Sequence, residues 1–95
     1  MQQYEITLPP FKRGFHIITN LTLNKVNRLS KKGLAHIFIK HTSAGLTINE
    51  AADPSVLVDF ENSFNELIPE NQKHYIHTAE GSDDMPAHLK SSIVG

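Results

Sequence analysis

Residues 34–50 have the sequence Leu34-Ala35-His36-Ile37-Phe38-Ile39-Lys40-His41-Thr42-Ser43-Ala44-Gly45-Leu46-Thr47-Ile48-Asn49-Glu50. This stretch decides the expected fold, because side chains of different character alternate along 34–41 and along 46–50, with Gly45 between them. Alternation with a period of two is typical of β-strands that bury one face. The pattern predicts two strands joined as a hairpin, with His41 near the end of the first.

The remaining patterns predict both strands and helices. Residues 3–8 alternate before Pro9-Pro10, and 15–19 follow Gly14, so each predicts a strand. A loose helical spacing of Leu21, Val26 and Leu29 predicts a short helix within 20–30.

Stronger helix signals occur in the second half of the chain. Asp53-Pro54 predicts a helix start, since Asp accepts from unpaired backbone N–H groups and Pro fits the first turn. Apolar residues then recur at spacings of three and four before Pro69, namely Val56, Phe60, Phe64 and Leu67. A last helix is expected from Met85 to Gly95, with Asp83 or Asp84 as its cap. The expected fold is therefore α+β, a largely antiparallel sheet or sandwich with two or three helices.

Composition limits the class of protein. Ninety-five residues make one domain, 1–95, and the absence of cysteine excludes disulfides and thiolate metal sites. No apolar run approaches the roughly 20 residues needed to span a bilayer. We expect a soluble, cytoplasmic protein with no membrane partner.

Charge is divided unevenly along the chain. Seven Lys or Arg against one acid give residues 1–45 a charge of +6, and two against nine give residues 46–95 a charge of −7. Chance placement on a solvated surface is one interpretation, and complementary faces meeting in a homo-oligomer is the other. Lys25, Arg28, Lys31 and Lys32 form only a short basic patch without interleaved aromatics, so no nucleic-acid partner is expected.

Six histidines supply the candidate metal ligands, and we select His41, His77 and His88. Three imidazoles with one open position form a catalytic type of zinc site. Their separations match no local metal motif, so the site requires the fold to bring them together. The alternative is that these histidines are scattered surface groups. The expected cofactor is a divalent metal, zinc or magnesium.

Other polar residues are candidates for catalysis and substrate binding. Glu50, Asp84 and His41 are the predicted catalytic groups, although an acid at Asp84 also stabilises a helix N-terminus whatever the function. Glu50 is either a pocket acid or a solvated residue at a sheet rim. The predicted substrate-binding residues are Thr42, Ser43, Asn49 and Lys90, whose alternatives are turn chemistry and a solvated lysine.

The sequence resembles the YjbQ family, small proteins also labelled secondary thiamine-phosphate synthases. The matching motifs are Arg13-Gly14-Phe15-His16, the stretch His41–Glu50, Ala52-Asp53-Pro54, His77-Thr78, Glu80-Gly81 and the stretch Asp83–Lys90. The resemblance implies an α+β fold, a compact trimer and a histidine pocket near a subunit interface, sometimes holding a metal. It also implies a weak activity that joins a pyrimidine diphosphate to a thiazole phosphate.

This chain departs from the family pattern at its C-terminal end. Family members continue for several strands that include a Gly-Thr-Trp-Gln motif, whereas this sequence has no tryptophan and ends at Gly95. The domain is therefore expected to be incomplete, without its C-terminal strands.

Two functions follow from this reading. The first is an enzyme, possible transferase, with a metal-binding pocket that acts on a small phosphorylated substrate and has thiamine-phosphate synthase-like activity. The alternative is a non-catalytic oligomeric module, expected to be a trimer, that binds a metal or a metabolite.

Overall fold

The structure is a computed structural model that describes residues 2–26 and 32–94. Its helices, in chain order, are α1 (Thr19–Lys25), α2 (Pro54–Leu67) and α3 (Asp84–Val94). The chain divides into two compact units, Met1–His36 and Ile37–Gly95. The first unit contains α1, and the second contains α2, α3 and both polar segments from which the predicted site residues come.

The predicted α+β fold, with its sheet or sandwich, is wrong. No residue in the described ranges forms a strand, so the hairpin of 34–41 with 46–50 does not occur, nor do strands at 3–8 and 15–19. Leu34, Phe38 and Ile48 are 105%, 74% and 93% exposed, so the burial that the alternation predicted is absent. Alternation indicates which side chains would share a face, but a strand also needs a hydrogen-bonded neighbour, which no local pattern supplies.

Helix α1 corresponds to the short helix predicted within 20–30, shifted towards the N-terminus. Ile18 precedes it and contributes no side-chain cap, which fits the weak local signal. Leu29 of the predicted helix lies outside the described residues, as do Arg28 and Lys31 of the basic patch. In the same unit, Phe11 stacks on His16 with ring centroids 4.7 Å apart.

Helix α2 begins where the sequence predicted. The Asp53 carboxylate accepts from the Ser55 backbone N–H at 2.9 Å, and Pro54 occupies the first helical position. Phe60 and Phe64 stack one turn apart with centroids 6.1 Å apart. The predicted apolar face differs at its end, because Leu67 is 68% exposed and Ile68, at 8%, is buried instead. The four-residue spacing from Phe60 and Phe64 therefore continues to Ile68, and the part of the chain that the structure describes supplies no sheet to pack against this face.

Helix α3 confirms the predicted last helix, beginning at Asp84 and extending to Val94. The Ala87 N–H donates to the Asp83 carbonyl at 3.1 Å, and Pro86 in the first turn is fully buried. Gly95, the expected last residue of this helix, lies outside the described residues. Lys90 of α3 donates to Asn65 Oδ1 of α2 at 2.7 Å. Within the described ranges, no helix combines the length and apolarity needed to cross a membrane.

Replacing the cap, Asp53→Ala, should lower the melting temperature (Tm) by a few degrees near neutral pH. The hydrogen bond from the Ser55 backbone N–H lowers the pKa of the Asp53 carboxyl, the Ser55 hydroxyl lowers it further, and burial acts weakly in the opposite direction. Because the folded pKa lies below the unfolded one, the stabilisation is complete above about pH 4 and disappears as pH falls through the folded pKa.

Thermal melts of both proteins between pH 3 and 7 measure this effect. The gap in Tm should be widest at pH 6–7 and should narrow towards pH 3, while Asp59→Ala, inside the same helix, serves as the control. A gap that is constant with pH would contradict the capping role.

Candidate functional site

Helix α3 positions two of the three groups that form the candidate site. Asp84 and His88 lie four residues apart on one helix face, and His77 reaches the same carboxylate from the preceding segment. Asp84 Oδ2 lies 2.7 Å from His77 Nε2 and 3.2 Å from His88 Nε2. The two imidazole rings meet edge to face with centroids 5.3 Å apart. One possible ligand atom from each residue falls within 4.8 Å of the others, a spacing compatible with a shared cation.

A turn before α3 brings His77 back to the helix. The Gly81 N–H donates to the Thr78 carbonyl at 3.3 Å, and Gly81 has φ 116°, a backbone conformation that glycine adopts without a Cβ clash. The chain therefore reverses between His77 and Asp84, and the histidine faces the first turn of the helix. A residue with a side chain at position 81 would be strained here.

The segment 42–45 lies directly against α3. The Thr42 carbonyl accepts from His88 Nδ1 at 2.9 Å and from the Ser91 hydroxyl at 2.9 Å. Gly45 is so close that an added Cβ would lie 3.3 Å from the Ser91 carbonyl and 3.3 Å from Val94. Because Gly45 has no side chain, segment 42–45 can lie close enough to α3 for the Thr42 carbonyl to accept from His88.

The hydrogen bonds fix where the ring protons lie. Because a carbonyl can only accept, His88 must carry a proton on Nδ1, so Nε2 is the nitrogen directed at Asp84. A neutral His88 then presents a lone pair to a carboxylate 3.2 Å away, which is favourable only if a proton or another cation lies between them. The arrangement is therefore a site for positive charge.

Asp84 is suited to remain ionised. The hydrogen bond from His77 lowers the pKa of its carboxyl, attraction to His88 and His77 lowers it further, and desolvation works against both effects. The side chains of His77, Asp84 and His88 are 46%, 25% and 31% exposed. The cluster is thus open to solvent on one side, and a small ion or ligand can reach it.

His41, the third predicted metal ligand, lies outside this group of three. Its Nδ1 accepts from the Ser43 backbone N–H at 3.0 Å and lies 3.1 Å from the Ser43 hydroxyl. The neutral ring therefore carries its proton on Nε2, and neither nitrogen has a lone pair available in this arrangement.

Among the other predicted site residues, Thr42 contacts the cluster, since its carbonyl accepts from His88 Nδ1. Glu50 is exposed, and its backbone N–H donates to Asn49 Oδ1 at 2.7 Å. Lys90 contacts Asn65. Thr42 takes part through its carbonyl rather than its hydroxyl. Sequence reasoning missed Ser91, although its position three residues after His88 on one helix face was a usable signal.

A recess of about 150 Å³ adjoins the cluster on the side of His77. Polar and apolar residues line it together, namely Asn71, Gln72, Tyr75, His77, Thr78, Gly81, Ser82 and Met85. The Ser82 hydroxyl donates to Glu70 Oε2 at 3.3 Å, so a carboxylate lies next to this lining. The recess is therefore a small surface of mixed character beside His77.

These features define a small helical protein with a two-histidine, one-carboxylate cluster beside a small recess. The model of the family described as UPF0047 protein YjbQ-like matches residues 4–95, so the chain belongs to this family, as the sequence motifs indicated.

Curated relatives agree with that assignment. The chain is 46% identical to UPF0047 protein YjbQ of Salmonella typhimurium and 44% identical to that of Escherichia coli O157:H7, each time over 98% of this chain and 68% of the relative. It is 48% identical to UPF0047 protein MJ1081 of Methanocaldococcus jannaschii over 84% of this chain and 52% of the relative. A comparison with solved structures found no match.

Gly45→Ala should destabilise the contact between segment 42–45 and α3. The new methyl group meets a helix carbonyl and the stiff, β-branched Val94, so the segment must move away by a few tenths of an ångström. We expect a loss of about 1–2 kcal/mol in the free energy of unfolding, which lowers Tm by about 5–10 °C.

Differential scanning calorimetry measures this change, with Ala44→Ser as the control because it adds one heavy atom at the exposed neighbouring position. Equal Tm values for Gly45→Ala and the wild type would show that the close approach is absent.

Proposed function

We propose that His77, Asp84 and His88 hold a divalent metal ion and that the protein acts there on a small phosphorylated substrate. The observation that carries the proposal is the convergence of two Nε2 atoms on one carboxylate oxygen, at 2.7 and 3.2 Å. Two histidines from different segments meet at one acid, on a face that solvent reaches.

The chemistry of these donors fits zinc better than magnesium. Imidazole nitrogen and carboxylate oxygen are common zinc ligands, and three protein ligands leave one position for a substrate. Magnesium prefers oxygen ligands, and only one of the three groups provides oxygen. The Thr42 carbonyl on His88 Nδ1 is the kind of outer partner that holds a ligating imidazole in place.

The ring protons of the two histidines give a second reason to propose a metal ion here. The contact of His77 with Asp84 contains a ring proton on Nε2, and a charged His88 would contribute another. For zinc to bind Nε2 of a neutral His77, the ring proton must move to Nδ1, whereas a ring protonated at both nitrogens must release one proton before it can bind the ion. Metal binding should therefore release protons and strengthen as pH rises.

The substrate proposal combines the cluster with its surroundings. A bound divalent cation supplies a Lewis acid that neutralises charge on a phosphate or diphosphate group. The recess beside His77, whose lining is both polar and apolar, is the proposed place for the rest of the substrate. Glu50 remains the proposed proton-handling group, because Asp84 serves here as a metal ligand and the Nδ1 lone pair of His41 already accepts from Ser43. The proposed substrate contacts remain Thr42, Ser43, Asn49 and Lys90. The proposed reaction is a transfer of the thiamine-phosphate synthase type.

A non-catalytic oligomeric module is the second candidate. The exposed apolar side chains of Phe38 and Ile48 in the second unit favour it, because exposed apolar side chains are often covered by another chain. In this version the protein binds the metal or a metabolite without turnover, and the proposed assembly is a homotrimer.

Isothermal titration with zinc chloride at pH 7 tests the metal site. The wild type should bind one ion per chain, and His77→Ala, His88→Ala and Asp84→Ala should each weaken binding at least about tenfold, since each removes a ligand. His41→Ala should stay within about twofold, because Ser43 already occupies the His41 Nδ1 lone pair.

His74→Ala is the matched control, since it removes an exposed imidazole that contacts Tyr75 and lies outside the cluster. The proposed centre is wrong if the wild type binds no zinc, or if the cluster variants bind as tightly as His74→Ala.

A chelator experiment separates the two functions. If the protein is an enzyme, formation of thiamine phosphate or hydrolysis of a phosphate ester should be lost after treatment with EDTA and restored by zinc. The module version instead predicts a higher Tm with zinc and no turnover in either state. Activity that persists without metal contradicts the metal-dependent mechanism.

A further inference from the structure

Ser91 contacts the same carbonyl oxygen as the histidine of the proposed metal centre. Its hydroxyl lies 2.9 Å from the Thr42 carbonyl, which also accepts from His88 Nδ1 at 2.9 Å. Helix α3 thus directs two donors, three residues apart, at one acceptor. We propose that Ser91 is a positioning residue that holds the Thr42 carbonyl in place and thereby orients His88 towards the metal.

The orientation of His88 depends on this carbonyl. The imidazole has two nitrogens, and the hydrogen bond to Thr42 determines that Nδ1 carries the proton and Nε2 the lone pair. If the carbonyl moves or hydrates, the ring can rotate or exchange tautomer, and Nε2 no longer faces Asp84. A contact that holds the Thr42 carbonyl in place therefore also holds the His88 ring with Nε2 towards Asp84.

The Thr42 carbonyl needs a second donor because its residue is exposed. Water competes for an exposed acceptor, whereas a hydroxyl on the same helix face as His88 moves together with that histidine. The Ser91 hydroxyl also lies 2.9 Å from the His88 carbonyl, so its single proton is shared between a contact within α3 and the contact to segment 42–45. Only the second of these joins the two segments.

Ser92 provides a matched comparison within the same helix. Its hydroxyl donates to the His88 carbonyl at 3.1 Å, like that of Ser91, and the hydrogen bond found for it goes to that carbonyl rather than to Thr42. The variants Ser91→Ala and Ser92→Ala therefore remove the same atom and the same helix contact. They differ in the contact with Thr42.

The test has two readouts. The first, zinc affinity, rests on the proposed function, and the second, made on metal-free protein, does not. In the full chain, Ser91→Ala should weaken zinc binding about five- to tenfold, less than the loss of a direct outer partner because Ser91 acts through a carbonyl. Ser92→Ala should remain within about twofold of the wild type. Ser91→Thr, which keeps the hydroxyl, should restore most of the affinity.

The second readout is the Nδ1–H proton of His88 in metal-free protein, detected by long-range ¹H–¹⁵N correlation of the imidazole ring and followed by its exchange with water. Exchange of this proton should be slow in the wild type and in Ser92→Ala, where the Thr42 carbonyl accepts it, and faster in Ser91→Ala. If the wild type binds no zinc, the metal proposal fails while this measurement still decides the role of Ser91.

Circular dichroism checks that each variant is folded. Should Ser91→Ala not fold, Ser91→Cys keeps the volume with a weaker donor, and a smaller change in the same direction is expected. An unchanged exchange rate of the His88 Nδ1–H proton in folded Ser91→Ala overturns the proposal.

Discussion

The contact between the Thr42 carbonyl and helix α3 is the constraint on which the site depends. It joins two segments more than forty residues apart, through His88 Nδ1 and the Ser91 hydroxyl, both at 2.9 Å. Gly45 makes the contact possible, because any side chain there would meet the Ser91 carbonyl and Val94. One acceptor therefore both docks the segment and selects the nitrogen that His88 presents to Asp84.

Electrostatics explain why the cluster favours a cation. The Asp84 carboxylate accepts a hydrogen bond from His77 and faces His88. The hydrogen bond from His77 is the main cause of its lowered pKa. The hydrogen bond from His77 and the attraction to His88 hold the two rings against the carboxylate. The same geometry suits the divalent ion that we propose, and the partial exposure of all three side chains leaves this position open to solvent.

The features that the sequence predicted are those set by local signals. Helices α2 and α3 were predictable because the Asp53 cap, Pro54 and apolar residues at helical spacing act within a few residues. The predicted strands are absent from the described residues, because alternation along 34–41 and 46–50 does not supply a neighbouring strand. Local pattern alone cannot replace such a partner.

The candidate site, like the fold, was only partly predictable from the sequence. Asp84 and His88 share a helix face by their four-residue spacing, so their proximity could have been read directly from the sequence. The approach of His77 depends on the turn at Gly81, and the Ser43 backbone N–H determines that Nδ1 of His41 is an acceptor. Neither contact follows from residue type, and both require coordinates.

Anomalous diffraction at the zinc absorption edge, from crystals grown with zinc, tests the central claim most directly. We predict a peak in bonding contact with His77 Nε2, His88 Nε2 and an Asp84 carboxylate oxygen, with His88 Nδ1 still donating to the Thr42 carbonyl. A peak at His41 instead, a His88 ring turned so that Nδ1 faces the ion, or no peak among these residues would contradict the account.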